Sequence, residues 1–113
     1  MPTLAGFGSL RTIKKEKIGP KITRKLVSGE RGMIVWWSVK KGAHAAAHKH
    51  PHEQIFWILK GKMKFRLGDK TRLCKAGDIA VIPGGVGQTE QADREQTALT
   101  VGPRKLFVAL TLR

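Results

Sequence analysis

The stretch "QIFWILKGKMKFRLGDKTRLCKAGDIAVIPGG", residues 54–85, decides the fold class. It contains four short apolar or amphipathic runs, and turn signals such as "LGDK" and "KAGD" separate them. In residues 62–67, "KMKFRL", a basic residue alternates with an apolar one, so the charges share one face of a strand and the apolar side chains share the other. Because no long segment with a 3.6-residue period intervenes, we predict an all-β fold rather than a parallel α/β sheet.

The same pattern continues on both sides of this stretch. Further short strands are predicted in "KITRKLVS", "GMIVWWSV", "QTALTVGPR" and "KLFVALTLR", with turns between them. A chain of 113 residues has the usual size of one compact domain. We therefore predict a single sandwich or small antiparallel barrel over residues 11–113, preceded by a Gly-rich N-terminal arm or tail over residues 1–10.

The aromatic residues have two interpretations. Trp36 and Trp37 are adjacent in "MIVWWSV", so they must face opposite sides of a strand. One of them is predicted to join the core, while the other belongs to an interface or a pocket wall. Phe56, Trp57 and Phe65 could line a pocket that stacks a sugar ring, but strands bury such rings routinely, and we favour core or dimer contact.

Cysteine content and hydropathy bear on location. The single cysteine, Cys74, cannot form an intramolecular disulfide, and its strand-like surroundings predict a small buried residue rather than a catalytic thiol. The start "MPTLAGFGSLR" lacks the regions of a signal peptide, and the longest apolar run, Ile55 to Leu59, is too short to cross a bilayer. We predict a soluble cytoplasmic protein that does not associate with membranes.

The chain is strongly basic. Its 22 Lys and Arg residues against 8 Asp and Glu residues give a formal charge of +14. Basic residues crowd positions 11–25 and recur in "KGKMKFRLG". Such a charge can guide a polyanion or a small anionic substrate, although amphipathic patterning alone explains the second stretch. No aromatic-rich RNP segment or zinc-finger spacing occurs, so specific nucleic-acid binding is not expected.

The segment "HKHPHEQ", residues 48–54, carries the main chemical signal. His48 and His50 are two residues apart, so they lie on one face of a strand, where two imidazoles can converge on a metal ion. A purely structural pair at the mouth of a barrel is the alternative. His44 and His52 lie outside this spacing and are predicted to be solvated or turn-packing rings.

Two spaced motifs surround this segment. The first reads Gly42, five residues, His48, one residue, His50, three residues, Gln54, six residues, Gly61, and the second reads Gly77, five residues, Pro83, one residue, Gly85, two residues, Gln88. Over residues 42–88 this spacing resembles the cupin family without a gap, which favours metal binding at the histidines. The "HPHE" before Gln54 resembles small single-domain bacterial cupins, including the pectin- and alginate-pathway enzymes that open unsaturated uronate rings. The resemblance implies a jelly-roll barrel, or double-stranded β-helix, and a homodimer.

By this resemblance, the metal ligands fall on His48, His50, Gln54 and Gln88. The family motif has Glu where this chain has Gln54 and His where it has Gln88, although an amide oxygen does serve as the first of these ligands in the similar subgroup. Amide oxygens are weaker donors than imidazole for late first-row divalent ions, so two glutamines predict a lower affinity. Gln88 is the weaker candidate. Glu90 shares its parity and is a substitute ligand that would add negative charge, the alternative being an exposed carboxylate.

Three functions are compatible with these residues. The first is a metal-dependent lyase or isomerase acting on a small anionic substrate of the sugar-acid type, with uronate ring opening as the version that the resemblance implies. A divalent Ni, Zn, Mn or Fe ion would act as a Lewis acid. Lys40, Lys41 and Arg66 are candidates for anchoring the substrate, although surface solvation is the favoured role for each. The second is a non-catalytic module that binds or senses a small ligand or a metal. The third is a non-haem metal dioxygenase, if Glu90 binds iron. The residues do not identify the groups that transfer protons.

Overall fold

The computed structural model describes residues 3–48, 51–92 and 96–103. A short 3-10 helix, Leu10–Thr12, precedes the β-strands of this part of the chain. The strands are β1 (Glu16–Gly19), β2 (Ile22–Ser28), β3 (Gly32–Val39), β4 (His44–His48), β5 (Gln54–Lys60), β6 (Lys62–Leu67), β7 (Lys70–Lys75), β8 (Ile79–Ile82), β9 (Gln88–Ala92) and β10 (Gln96–Pro103). Within the described residues, no helix has the length and apolar character needed to cross a membrane.

The strands form two antiparallel sheets. The first sheet has six strands in the order β1-β2-β3-β10-β5-β8, and the second has four strands in the order β4-β9-β6-β7. From β4 onward the chain passes repeatedly between the sheets, as is typical of a jelly roll. The predicted all-β, antiparallel jelly-roll fold is confirmed.

Three strands, β1, β4 and β9, are not among those predicted from apolar runs. β4 and β9 are short, and β9, "QTEQA", has four polar residues and one alanine, so neither shows the apolar alternation of a half-buried strand. β9 nevertheless pairs with β4 on one side and β6 on the other. Its backbone hydrogen bonds to two neighbouring strands replace the sequence signal that its side chains lack.

The ends of the chain leave two predictions without a test. The amide N–H of Leu4 donates to the carbonyl oxygen of Ser28 at 2.8 Å, so part of the predicted arm lies beside β2. The division into an arm at residues 1–10 and a domain at residues 11–113 stays a prediction. The strand predicted in "KLFVALTLR", residues 105–113, lies outside the described residues.

The main core lies between the two sheets. Its buried members are Phe56, Ile58, Met63, Phe65, Cys74, Ile82 and Ala98. The rings of Phe56 on β5 and Phe65 on β6 meet edge to face, with centroids 5.4 Å apart and planes at 78°, and so join one sheet to the other. The alternation predicted for "KMKFRL" is confirmed, because Met63 and Phe65 are buried while Lys64 is exposed.

Trp37 organises a second part of the interior. Its indole N–H donates to the hydroxyl of buried Thr100 at 3.0 Å, and the Arg24 guanidinium lies 5.7 Å from the ring centroid. Arg24 is itself buried, and the Glu16 carboxylate lies 3.6 Å from it. Trp36 lies on the outer face of the same sheet, against a shallow groove. The two tryptophans therefore face opposite sides of β3, as predicted.

Cys74 is a core residue, as its surroundings predicted. It is buried on β7 within the main cluster. Desolvation by burial raises the pKa of the thiol above its ordinary value, the nearby Arg72 lowers it and Asp78 raises it further. The thiol is therefore protonated at neutral pH, which is the unreactive form.

Removing the Phe65 ring is expected to destabilise the fold. Phe65→Ala deletes the edge-to-face contact between the sheets and leaves a cavity, so the free energy of unfolding should fall by about 3–5 kcal/mol. The matched control is Leu73→Ala, a truncation on the outer face of the adjacent strand, which should change it by less than about 0.5 kcal/mol. Urea titrations at one protein concentration measure both. Equal losses in the two variants would contradict the assignment of the core.

Candidate metal-binding site

Glycine turns fix where each motif begins. Gly42 and Gly77 have φ angles of +88° and +93°, in the left-handed region that residues with a Cβ rarely adopt. The Gly77 amide donates to the carbonyl oxygen of Ile58 at 2.8 Å, and the Ile58 amide donates to the carbonyl oxygen of Asp78 at 3.0 Å. These bonds extend the pairing of β8 with β5, so the second motif lies directly beside the first.

The two glutamines predicted as ligands are both buried. Gln54 begins β5 and is 2% exposed, while Gln88 begins β9 and is 0% exposed. Gln54 belongs to the buried set of alternate positions on β5, which faces the other sheet. Gln88 is the register partner of Leu67 on β6, a residue packed against the main core. The amides therefore enter the barrel interior from opposite sheets.

The structure describes the backbone positions of three of the four histidines. Backbone register puts His48, the last residue of β4, directly opposite Gln88. His44 begins the same strand opposite Gln91, which is three residues from Gln88 and so belongs to the other set of alternate positions on β9. The β4–β9 register shifts between Ala45 and His48. His52 is half-buried in the turn before β5. His50 lies outside the described residues, so its role as a ligand stays a prediction.

Two further predictions concern charged residues. Glu90 is two residues along β9 from Gln88 and is the register partner of Phe65, so the backbone alternation puts it in step with Gln88. Its role as a ligand stays a prediction. Among the described residues, no three His, Cys, Asp or Glu side chains come together as a metal site.

The proposed anchoring residues lie outside the barrel interior. Lys40 and Lys41 are exposed in the turn before β4. Arg66 donates from Nη1 to the carbonyl oxygen of Gly68 at 2.7 Å. Because Arg66 alternates with the buried residues of β6, its position is on the outer face of that strand. Arg66 therefore does not point at the space between the sheets, which agrees with the solvated role favoured for it.

A family model described as "Cupin domain" matches residues 35–101, which include both spaced motifs. The chain belongs to the cupin family. A comparison with curated proteins finds no match. The residues that carry the candidate site, Gln54 on β5 and Gln88 on β9, therefore lie inside the matched cupin domain.

Solved structures agree with this assignment at the level of the fold. An RmlC-like cupin from Shewanella frigidimarina is 21% identical, with a TM-score of 0.86 over 95% of this chain and 99% of that chain. KdgF from a Halomonas species is 24% identical, with a TM-score of 0.80 over 89% of this chain and 96% of that chain. Salicylate 1,2-dioxygenase from Pseudoaminobacter salicylatoxidans is 14% identical, with a TM-score of 0.73 over 84% of this chain and 28% of that chain.

One contact at the site of this cupin was missed by sequence reasoning. A Cβ atom added at Gly84, the middle residue of "PGG", would overlap the carbonyl oxygen of Pro51. The turn that follows the His48 strand therefore packs directly against the turn that precedes Gln88. The motif spacing leaves residue 84 unspecified, and the only available signal was a glycine pair after a proline. Gly84 is a positioning residue, because the contact sets how the turn after β4 and the turn before β9 approach each other.

A side chain at Gly84 is expected to disturb this contact. Gly84→Ala forces the Pro51 turn to move, so the free energy of unfolding should fall by about 1–3 kcal/mol. Gly87→Ala is the matched control, since a Cβ there meets nothing within 4 Å. That variant should stay within about 0.5 kcal/mol of the wild type. Urea unfolding compares the two, and an unchanged Gly84→Ala variant would show that the turns do not depend on the contact.

Proposed function

We propose that this cupin is a metal-dependent enzyme that acts on a small anionic sugar acid. The observation that carries the proposal is the burial of Gln54 and Gln88 inside the barrel, with His48 in register beside Gln88. Both residues occupy ligand positions of the cupin motif, and the barrel interior shields their amide groups from bulk water. An ion held at these positions would lie inside the barrel.

The donor set fits a divalent transition metal ion. His48 and His50 would provide imidazole nitrogens, and Gln54 and Gln88 would provide amide oxygens. All four donors are neutral, so the charge of the ion would not be cancelled and would attract an anion. We propose Ni, Zn, Mn or Fe as the ion. Glu90 is in step with Gln88 on β9, and a carboxylate added to two histidines would favour iron.

The residues of this chain and the ion would have separate roles. When bound, the ion would supply Lewis-acid polarisation of a substrate carbonyl, carboxylate or hydroxyl group. The buried side chains around Gln54, such as Phe56 and Ile82, keep this end of the interior apolar and so limit the entry of water. The formal charge of +14 raises the local concentration of an anionic substrate around the molecule.

Uronate ring opening is the most concrete reaction that we propose. Its support is the resemblance of "HPHE" and Gln54 to the small uronate ring-opening cupins, together with the similarity in fold to KdgF. A non-haem dioxygenase is a second candidate, supported by the position of Glu90 and by the fold of salicylate 1,2-dioxygenase. A binding or sensing module is the outcome if no metal binds. A single cysteine is compatible with the proposed cytoplasmic location.

Metal content tests the site directly. Protein purified without chelator or a His-tag should contain close to one equivalent of a transition metal by elemental mass spectrometry. His48→Ala and His50→Ala should each lose it. Gln88→His should bind the same metal at least about tenfold more tightly, because imidazole is the better donor. Thr89→His is the matched control, since the register partner of Thr89 is Arg66, on the outer face.

The results divide the candidate functions. Metal together with loss of the conjugated double bond of an unsaturated uronate supports the proposed lyase or isomerase. Iron together with oxygen-dependent turnover supports the dioxygenase instead. No metal after reconstitution with nickel, zinc, manganese and ferrous iron would contradict the metal site and leave a binding module.

We also propose that the protein is a homodimer. The outer face of the six-stranded sheet carries two rows of apolar residues in register, Ile34, Val101, Ile55 and Val81 in one row and Trp36, Leu99, Trp57 and Ile79 in the other. Trp57 is 45% exposed and Ile79 is 58% exposed. Within these four strands no charged residue interrupts the rows, and Lys25 on β2, the register partner of Trp36, lies at the end of one of them. A second copy of the same face would bury the apolar rows.

A charge placed in the middle of this face should separate the dimer. Trp57→Lys removes a large apolar contact and places two like charges at the interface, so the dissociation constant should rise on the order of a hundredfold. Leu73→Lys is the control, because Leu73 is similarly exposed, at 49%, on the other sheet. Sedimentation velocity over a range of concentrations measures both. A wild-type protein that is monomeric throughout would contradict the proposal.

A further inference from the structure

The outer face of the four-stranded sheet carries regularly spaced basic residues, with the exposed Leu73 opposite Lys64. The β6–β7 hairpin, residues 62–75, contains six basic residues and one acidic residue, Asp69. On β6, every position that alternates with the buried residues is basic: Lys62, Lys64 and Arg66. Lys62 is the register partner of Lys75 on β7, so two like charges lie directly opposite each other. We call the face formed by Lys62, Lys64, Arg66 and Lys75 the basic face.

The carboxylates close to this hairpin do not neutralise the basic face. Asp78 accepts a hydrogen bond from the backbone amide of Lys75 at 2.9 Å and lies 3.7 Å from Arg72, at the edge of the sheet. Within the described part of the chain, no ion pair joins a carboxylate to Lys62, Lys64 or Lys75. Like charges directly opposite in a sheet are destabilising, so this arrangement lowers the stability of the isolated fold.

The spacing of the charges matches a polymer better than a single small anion. Outward side chains on one strand repeat at about 6.8 Å, and opposite positions on paired strands lie about 5 Å apart. Both separations are shorter than the screening length of about 8 Å at physiological salt, so the potentials of the cations add. A chain of regularly spaced anions can contact several of them at once and release its counterions.

We propose that the basic face binds a carboxylated polysaccharide, a polyuronate. This inference rests on the proposed function for the identity of the sugar, because a sugar-acid substrate has to be released from such a polymer by a chain-cleaving reaction. The basic face has no aromatic residue among its described positions on β6 and β7, so it offers no platform for stacking bases. Its one guanidinium, on Arg66, already donates to Gly68. Lysine ammonium groups, which act as point charges, suit dispersed carboxylates better than phosphates that are bound bidentately by arginine.

The basic face stays accessible when the protein pairs with a second copy. The proposed dimer surface is the outer face of the six-stranded sheet, whereas the basic face belongs to the four-stranded sheet. In a jelly roll these are opposite sides of the molecule. The dimer would therefore present two basic faces, one at each end.

Polymer binding tests the inference with a charge-matched control. The triple variant Lys62→Gln, Lys64→Gln, Lys75→Gln keeps Arg66, whose hydrogen bond holds the β6–β7 turn. The control, Lys14→Gln, Lys17→Gln, Lys40→Gln, loses the same charge from exposed positions elsewhere. Binding of polygalacturonate, duplex DNA and neutral dextran would be measured by biolayer interferometry at several salt concentrations. Circular dichroism checks that each variant is folded.

The wild type should bind polygalacturonate more tightly than duplex DNA and should not bind dextran. The triple variant should lose at least about tenfold in affinity, and its salt dependence should fall by roughly one unit of slope for each lysine removed. The control variant should lose less than about threefold. Equal losses in the two variants, tighter binding of DNA, or no binding of polygalacturonate at low salt would each overturn the proposal.

Failure of the proposed function is distinguishable from failure of this inference. His48→Ala should abolish metal binding and turnover while polygalacturonate binding is kept. The triple lysine variant should keep its metal and its turnover of a monomeric uronate. Polymer binding that disappears together with the metal in His48→Ala would overturn the inference, because binding would then depend on the metal site rather than on the basic face.

Discussion

The edge-to-face contact between Phe56 and Phe65 joins the two sheets, and the organisation of the rest of the molecule depends on it. Once the sheets are packed together, each strand has an inner and an outer set of side chains that alternate along it. The inner set supplies the core and the candidate site. The outer sets differ in composition, since the six-stranded sheet presents apolar rows and the four-stranded sheet presents lysines. The alternation of side chains along the strands therefore separates the interior, the apolar outer face of the six-stranded sheet and the basic outer face of the four-stranded sheet.

Two sets of buried polar groups lie at different levels of the barrel. Arg24 and Trp37 are register partners in the six-stranded sheet, the Glu16 carboxylate lies 3.6 Å from the Arg24 guanidinium, and the Trp37 indole N–H donates to Thr100. Gln54 lies at a different level, about 13 Å along β5 from the row that contains Trp37. The first group is explained by its own contacts, because a buried charge that is paired and stacked has its desolvation offset. The second group consists of amides at the ligand positions of a cupin motif, which is why we associate chemistry with that end of the barrel.

Much of the fold could be predicted from the sequence, because β5, β6 and β8 show apolar runs bounded by turn residues. The predicted ligands Gln54 and Gln88 were also found inside the barrel, since motif spacing constrains where the chain enters and leaves each strand. β9 could not be predicted, because its stability comes from pairing with two neighbours and not from its own side chains. The contact of Gly84 with Pro51 was missed for a related reason. It joins two turns that are far apart in sequence, and a glycine that is needed for close approach looks like any turn glycine.

The sign of the charge on the four-stranded sheet is not explained by solubility. A solvated face needs charged residues, but either sign serves, and mixed signs on adjacent strands would add favourable cross-strand pairs. A single Glu in place of Lys75 would convert a repulsive pair with Lys62 into an attractive one without changing any buried residue. The fold therefore tolerates a simple stabilising alternative that this sequence does not use. The like-charge pair of Lys62 and Lys75, on a face where every outward position of β6 is basic, is what a surface shaped by binding an anion would show, whereas a surface shaped by stability alone would carry both signs.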